Sequence, residues 1–129
     1  MINNILLDSC VWIGLCDAND SLHQKAFSLV EGLDSDRLFL CDHVFAEVMT
    51  RLRRKTGKEG CFAFLRFLKN FGMTINVSDR DILLKCTSIF LNKDEDLSFT
   101  DCLLLAEAKE NKMKVLTFDK ILEKALATG

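Results

Sequence analysis

Residues 97–120, "LSFTDCLLLAEAKENKMKVLTFDK", carry the fold in one stretch. From Thr100 the chain runs through Leu and Ala into charged residues, the composition of a helix of about three turns. "KVLTF" (114–118) is short, β-branched and aromatic, as a buried strand is. Asp119 then opens "DKILEKALATG", a final short helix. Helix, strand and helix in quick succession are the repeating unit of an α/β domain. The stretch also poses a chemical question at Asp101. Ser98 and Asp101 stand three apart, as in a capping box, so Asp101 fits a helix cap. The hydroxyls of Ser98 and Thr100 alone suffice for that task, which leaves the carboxylate free to hold a cation.

The same alternation extends toward the N-terminus. "NILLD" (4–8) is a buried strand ending in Asp8, and "SCVWIGLC" (9–16) is a short helix or turn. "SLHQKAFSLVEGL" carries apolar residues at 22, 26, 29, 30 and 33, a helical spacing closed near Gly32. "RLFLCD" is a second strand, ending at Asp42. "HVFAEVMTRLRRKTG" sets Val44, Phe45, Val48 and Leu52 on one helical stripe and stops at Gly57. "EGCFAFLRFLKNFG" is a further helix, "MTINVS" a third strand, and Ser78 with Asp81 suits a capping box for "DRDILLKCTSIFLN". Continuously apolar strands between helices predict a mostly parallel sheet covered on both faces. The whole chain, residues 1–129, is expected to form one domain.

Composition narrows the possibilities. Of the 129 residues, 49% are hydrophobic and 28% charged, which belongs to a folded chain rather than a disordered one. The uncharged, largely apolar run Ser9 to Cys16 is far short of the ~20 apolar residues of a membrane span. Asp8 interrupts the apolar start, so no signal peptide is expected, and the expected location is the cytoplasm. The six cysteines form no C-x-x-C pair, against a zinc site, and several sit in apolar runs as reduced core residues. A net charge of −2 gives no global attraction to nucleic acid, yet "RLRRKTGK" (51–58) is locally basic.

In open α/β sheets, ligands bind beyond the carboxyl ends of the strands. Asp8 and Asp119 follow strands, Asp101 begins the helix before the last strand, and Glu47 lies one turn into the helix after "FLCD". Singly, each has a structural reading: the aspartates cap helices, and Glu47 pairs with Arg51 at i+4. Together they are four carboxylates from distant segments converging on one sheet edge. Their mutual repulsion is costly unless a cation is bound. Oxygen ligands with no His or Cys favour magnesium or manganese over zinc. Such a centre supports phosphodiester hydrolysis. Thr117 points to the same side as Asp119 and either orients a carboxylate or water, or is an ordinary β-branched strand residue.

"ILLDSCVWIGL", "HVFAEVMTRL", "LSFTDCLLLAEA" and "VLTFDK", in that order, resemble the PIN domain family, above all the VapC-type toxins of prokaryotic toxin–antitoxin pairs. The resemblance spans essentially the whole chain. It implies an α/β/α three-layer sandwich and a Mg2+- or Mn2+-dependent ribonuclease. The family's acidic quartet falls on Asp8, Glu47, Asp101 and Asp119, and its hydroxyl before the last acid on Thr117. It also implies an RNA substrate, a small antitoxin protein as inhibitor, and homodimers. Two departures stand out. Many members follow the first Asp with Thr or Ser and then Ser or Asn, where this chain has Ser9 and then Cys10. Many also continue into a further strand, where this chain stops at Gly129.

Other features are assigned around this centre. Arg51, Arg53, Arg54 and Lys55 either line an RNA path by phosphate contacts or form a solvated helix end. The Phe-rich helix is wider than one apolar face requires, and its surplus buries either a partner or the monomer core. His23 and His43 lack a neighbouring nucleophile and are expected in packing or surface roles. Of the acidic run Asp94 to Asp96, Asp96 is the residue expected nearest the metal. Two other functions compete with the nuclease. A catalytically silent binding module has no need of four repelling acids. An Asp-nucleophile phosphatase would require D-x-D where the chain has "DSC", and a receiver domain would require an acidic pair beside its phosphoacceptor.

Overall fold

The computed structural model of the chain describes residues 4–128. Strand β1 (Ile5–Leu7) leads into helix α1 (Ser9–Cys16), and α2 (His23–Glu31) follows. A 3-10 turn at Ser35–Arg37 precedes β2 (Leu38–Cys41), α3 (Asp42–Thr56) and α4 (Lys58–Phe71). Then come β3 (Thr74–Asn76), α5 (Arg80–Asn92), α6 (Phe99–Glu110), β4 (Lys114–Leu116) and α7 (Lys120–Thr128). The four strands form one parallel sheet in the order β3-β2-β1-β4. Helices α1 to α4 pack on one another, and α5, α6 and α7 form a second group. The result is the α/β architecture that the apolar strands foretell.

Register explains where chemistry can gather. Leu7 is level with Leu116, so the next residue on each strand, Asp8 and Thr117, meet at the carboxyl edge. The Asp8 amide donates to the Leu116 carbonyl at 2.9 Å and carries the pairing one step past the strand. On the other side of the sheet Cys41 is level with Asn76, and Ser78, two residues further on, reaches back to Asp42.

The core forms because β1 is buried at every position and α6 at six consecutive ones, Cys102 to Glu107. Trp12 of α1 is fully enclosed, edge-on to Phe64 at 5.3 Å and Phe67 at 5.4 Å. Phe64 and Phe67 thus belong to the monomer core. Phe62 remains 55% exposed and Phe71 47%, so the surplus of this helix is at its outer face and its end. Gly57 joins α3 to α4 at φ +71° and ψ −141°, a conformation that side chains resist.

Several expectations are corrected. The first cap of α5 is Asp79, whose carboxylate accepts from the Ile82 amide at 2.9 Å, and not the Ser78–Asp81 pair. Ser78 is unavailable because its hydroxyl is bound to Asp42 at 2.7 Å. The second strand ends at Cys41 rather than Asp42, which is the first helical residue of α3. Strand β3 is not buried on both faces: it is an edge strand, and Thr74 and Ile75 are exposed. Among the described residues, no helix is long and apolar enough to cross a membrane.

Candidate active site

The carboxyl ends of β1 and β4 meet in a hydrogen-bonded chain that joins three of the four predicted acids. Asp8 is 4% exposed, and both of its oxygens are engaged. Oδ1 accepts from the Ser9 amide at 2.7 Å, which makes Asp8 the N-cap of α1. Oδ2 accepts from the Thr117 hydroxyl at 2.7 Å. Thr117 in turn accepts from the Asp119 amide at 3.0 Å, so one hydroxyl aligns two acidic segments. Ser9 extends the chain to α3, its hydroxyl donating to Glu47 Oε1 at 2.9 Å.

Asp101 stands half-buried in the first turn of α6. Burial pushes its carboxyl up, and the negative charges of Asp8 and Asp119 push it further, while bonds from Ser98 act the other way. Asp101 also completes a full capping box: its amide donates to Ser98 Oγ at 3.1 Å, and its Oδ2 accepts from the Ser98 amide at 3.0 Å. The expectation that hydroxyls alone would cap is therefore corrected. One carboxylate oxygen caps and the other remains. Asp119 has the same double character, with Oδ1 capping α7 through the amides of Ile121 at 2.9 Å and Leu122 at 3.2 Å.

The basic stretch divides. Arg51 Nη1 lies 3.4 Å from both Ser9 Oγ and Glu47 Oε1, so it is the guanidinium that borders the acids. Lys55 is held elsewhere, by Asp20 at 2.7 Å and Asp17 at 3.4 Å. These bonds raise the Lys55 ammonium, and the same pairing lowers Asp20 against the opposing effect of burial. Arg53 and Arg54 are exposed on α3. Asp96 is exposed and lines a groove with Lys120 and Lys124.

Cys10, which stands where the resemblance expects Ser or Asn, lies at this centre. The Cys10 thiol donates to Asp8 Oδ2 at 3.4 Å, lies 3.6 Å from Thr117 Oγ1 and accepts from the Phe118 amide at 3.4 Å. Burial and the Asp8 charge push this thiol up, so it stays a neutral donor. Its place in an apolar run suggested a core residue. Its position two after Asp8 in the first turn of α1 was the signal that marked it.

A second acidic centre lies at the ends of β2 and β3. Ligand atoms of Cys41, Asp42 and His43 fall within 4.8 Å of one another, close enough in principle for a metal. The hydrogen bonds argue otherwise. Asp42 Oδ1 accepts from Ser78 Oγ at 2.7 Å, the His43 amide at 2.8 Å and His43 Nδ1 at 2.9 Å, and Oδ2 from the Ser78 amide at 2.9 Å. A carboxylate so surrounded by donors has little left to offer a cation. The Cys41 thiol is also pushed up by burial, to about 11, and so is not the thiolate a metal binds.

The topology thus sets acids just past the carboxyl ends of β1 and of its neighbour, the edge strand β4. The family model matches residues 5–126, and the chain belongs to the PIN domain family. Among solved structures it resembles VapC20 of Mycobacterium tuberculosis, a sarcin–ricin loop cleaving toxin. The TM-score is 0.85 at 20% identity, over 94% of each chain. It also resembles a chain of a toxin–antitoxin complex from Klebsiella pneumoniae. There the TM-score is 0.64 at 17% identity, over 89% of this chain and 86% of that one. At these identities the likeness is one of fold. No curated protein sequence matches the chain.

Proposed function

We propose that the chain is a metal-dependent endoribonuclease and the toxin of a type II toxin–antitoxin pair, acting in the cytoplasm. The observation that carries this reading is the hydrogen-bonded chain at the carboxyl edge, in which the Thr117 hydroxyl joins Asp8 to the Asp119 amide and the Ser9 hydroxyl ties in Glu47. Acids drawn together at a carboxyl edge fit a hard divalent cation, Mg2+ or Mn2+, and the hydroxyls of Ser9 and Thr117 around them fit it equally. When bound, the ion supplies an activated water and neutralises charge on the phosphate. The protein's own groups set the geometry. Thr117 and the Ser9 amide fix the two oxygens of Asp8, and Ser9 fixes Glu47. Arg51 stands beside them as a cation for the phosphate, with Arg53 and Arg54 further along the same helix.

A small antitoxin and a second copy of the chain are the partners this reading assigns. The relative found in a toxin–antitoxin complex supports the first. So does an apolar groove of about 260 Å3 whose lining includes Leu15, Phe27, Phe67 and Phe71. The reading is tested by incubating the protein with a panel of structured RNAs in manganese. Cleavage is expected in manganese or magnesium and lost on chelation. Asp8→Asn should lower it at least about a hundredfold while the protein still melts cooperatively. Undiminished cleavage by that variant sinks the assignment.

A further inference from the structure

Four clustered acids repel an RNA backbone, so the strand needs positive charge close to them, and α3 supplies only part of it. Arg51 is bonded to Ser9 and Glu47, and Lys55 to Asp20 and Asp17. On the opposite helical layer, Lys93, Lys109, Lys120 and Lys124 form no ion pair among the described residues. These four border two grooves that meet at Ala125 of α7. The first, about 390 Å3 between α5, α6 and α7, has an apolar floor that includes Ile89, Leu105 and Leu126. Lys93 and Lys109 stand on its rim and no acidic residue lines it. The second, about 440 Å3, sets Lys120 and Lys124 against Glu95 and Asp96, a mixed field that suits a phosphate less well.

Helix α6 connects the acids to the first groove. Asp101, Leu105 and Lys109 are spaced four apart and so share one face. Eight residues of helix carry that face ~12 Å from the acidic site into the groove. Its volume falls within the ~300–1,000 Å3 typical of small-ligand sites. An apolar floor beneath two unpaired ammonium groups complements one chemistry on this molecule: a base above, phosphates at the rim.

We propose that the groove between α5, α6 and α7 takes a nucleotide of the RNA strand flanking the scissile phosphate. The base lies on Leu105, Ala108 and Leu126, and the phosphates on Lys93 and Lys109. This inference rests on the nuclease reading. An aliphatic floor offers contact area without hydrogen-bond readout, so the subsite binds single-stranded RNA and tolerates different bases there.

The test uses the full chain with Lys93→Gln and Lys109→Gln combined, and separately Ala108→Phe, which fills the floor. Binding of a labelled single-stranded RNA is measured over a salt series in an Asp8→Asn background, and cleavage in the otherwise native protein. The double lysine variant should bind about tenfold more weakly, with a log–log salt slope shallower by about 1.4. KM should rise with kcat and melting temperature unchanged. Ala108→Phe should raise KM with the salt slope intact. The subsite is overturned if the native protein cleaves RNA while both variants keep its KM and salt slope. A native protein that neither binds nor cuts RNA in manganese overturns the nuclease reading itself, and this inference with it.

Discussion

Asp8 and Asp42 occupy equivalent places, each the first residue past a buried parallel strand and each facing a hydroxyl residue from the neighbouring strand's end. Asp8 meets Thr117, and Asp42 meets Ser78, both at 2.7 Å. Their surroundings differ in what else arrives. At Asp42 the arrivals are donors: two amides, a hydroxyl and the ring nitrogen of His43. At Asp8 they include other acidic segments, with Asp119 one threonine away and Glu47 one serine away. A carboxylate that has its donors is a fastener. A carboxylate that shares its donors with other acidic segments is, on the proposed reading, held in place for a cation. Position after a strand does not separate the two; the sign of the neighbours does.

Removing one acid from each centre is the most direct way to break the comparison. Asp101→Asn should reduce RNA cleavage at least about a hundredfold, because an amide is a poor ligand for a hard cation. The Asn side-chain oxygen can still accept from the Ser98 amide, and repulsion with Asp8 and Asp119 disappears. The melting temperature without metal should therefore hold or rise. A marked fall in stability with metal affinity unchanged would make Asp101 a cap and nothing more. Thr117→Val comes next in size. It leaves Asp8 Oδ2 with only the weak Cys10 thiol donor and removes the acceptor for the Asp119 amide, and should cost about ten- to a hundredfold in metal affinity, with Thr117→Ser restoring most of it. If Val and Ser behave alike, Thr117 is only a β-branched strand residue.

The sequence was legible wherever one residue's own pattern decides. Apolar strands and helical stripes predicted all four strands and their order in the chain, Asp8 and Asp119 were marked by following strands, and Asp101 by opening the helix before the last one. What the sequence could not carry was competition for the same group. Ser78 suits a helix cap on spacing alone, but the register of β2 and β3 delivers Asp42 to it first. Lys55 belongs to a basic run, yet the turn after α1 brings Asp17 and Asp20 against it. Cys10 reads as a small apolar residue until the end of β4 arrives beside its thiol. Each miss depends on residues at least 35 apart in the chain, a separation at which local spacing is silent.

At the Asp42 centre the expected effects are on stability and not on cleavage. Ser78→Ala leaves the Asp42 carboxylate short of one charge-assisted bond and should cost about 1–2 kcal/mol in chemical denaturation, with cleavage per folded molecule unchanged. A loss of cleavage at full folding would erase the distinction drawn between the two centres. The smallest effect is also the most diagnostic. Burial favours the protonated Asp42, but the bonds from Ser78 and His43 outweigh it and hold the carboxyl at about 2, below its ordinary 3.8. A group depressed in the folded state stabilises it above the unfolded value and loses that contribution as pH falls through the folded one. The side chain is 30% exposed, so screening reduces the effect to about 1 kcal/mol. The stability gap between the native protein and Asp42→Asn should therefore be flat above about pH 4.5 and narrow by about 1 kcal/mol between pH 4 and pH 2. The same titration in Ser78→Ala should narrow by less, since part of the depression is already gone. A gap that stays constant down to pH 2 would mean that the donors around Asp42 do not hold its charge, and the fastener would have to be sought elsewhere.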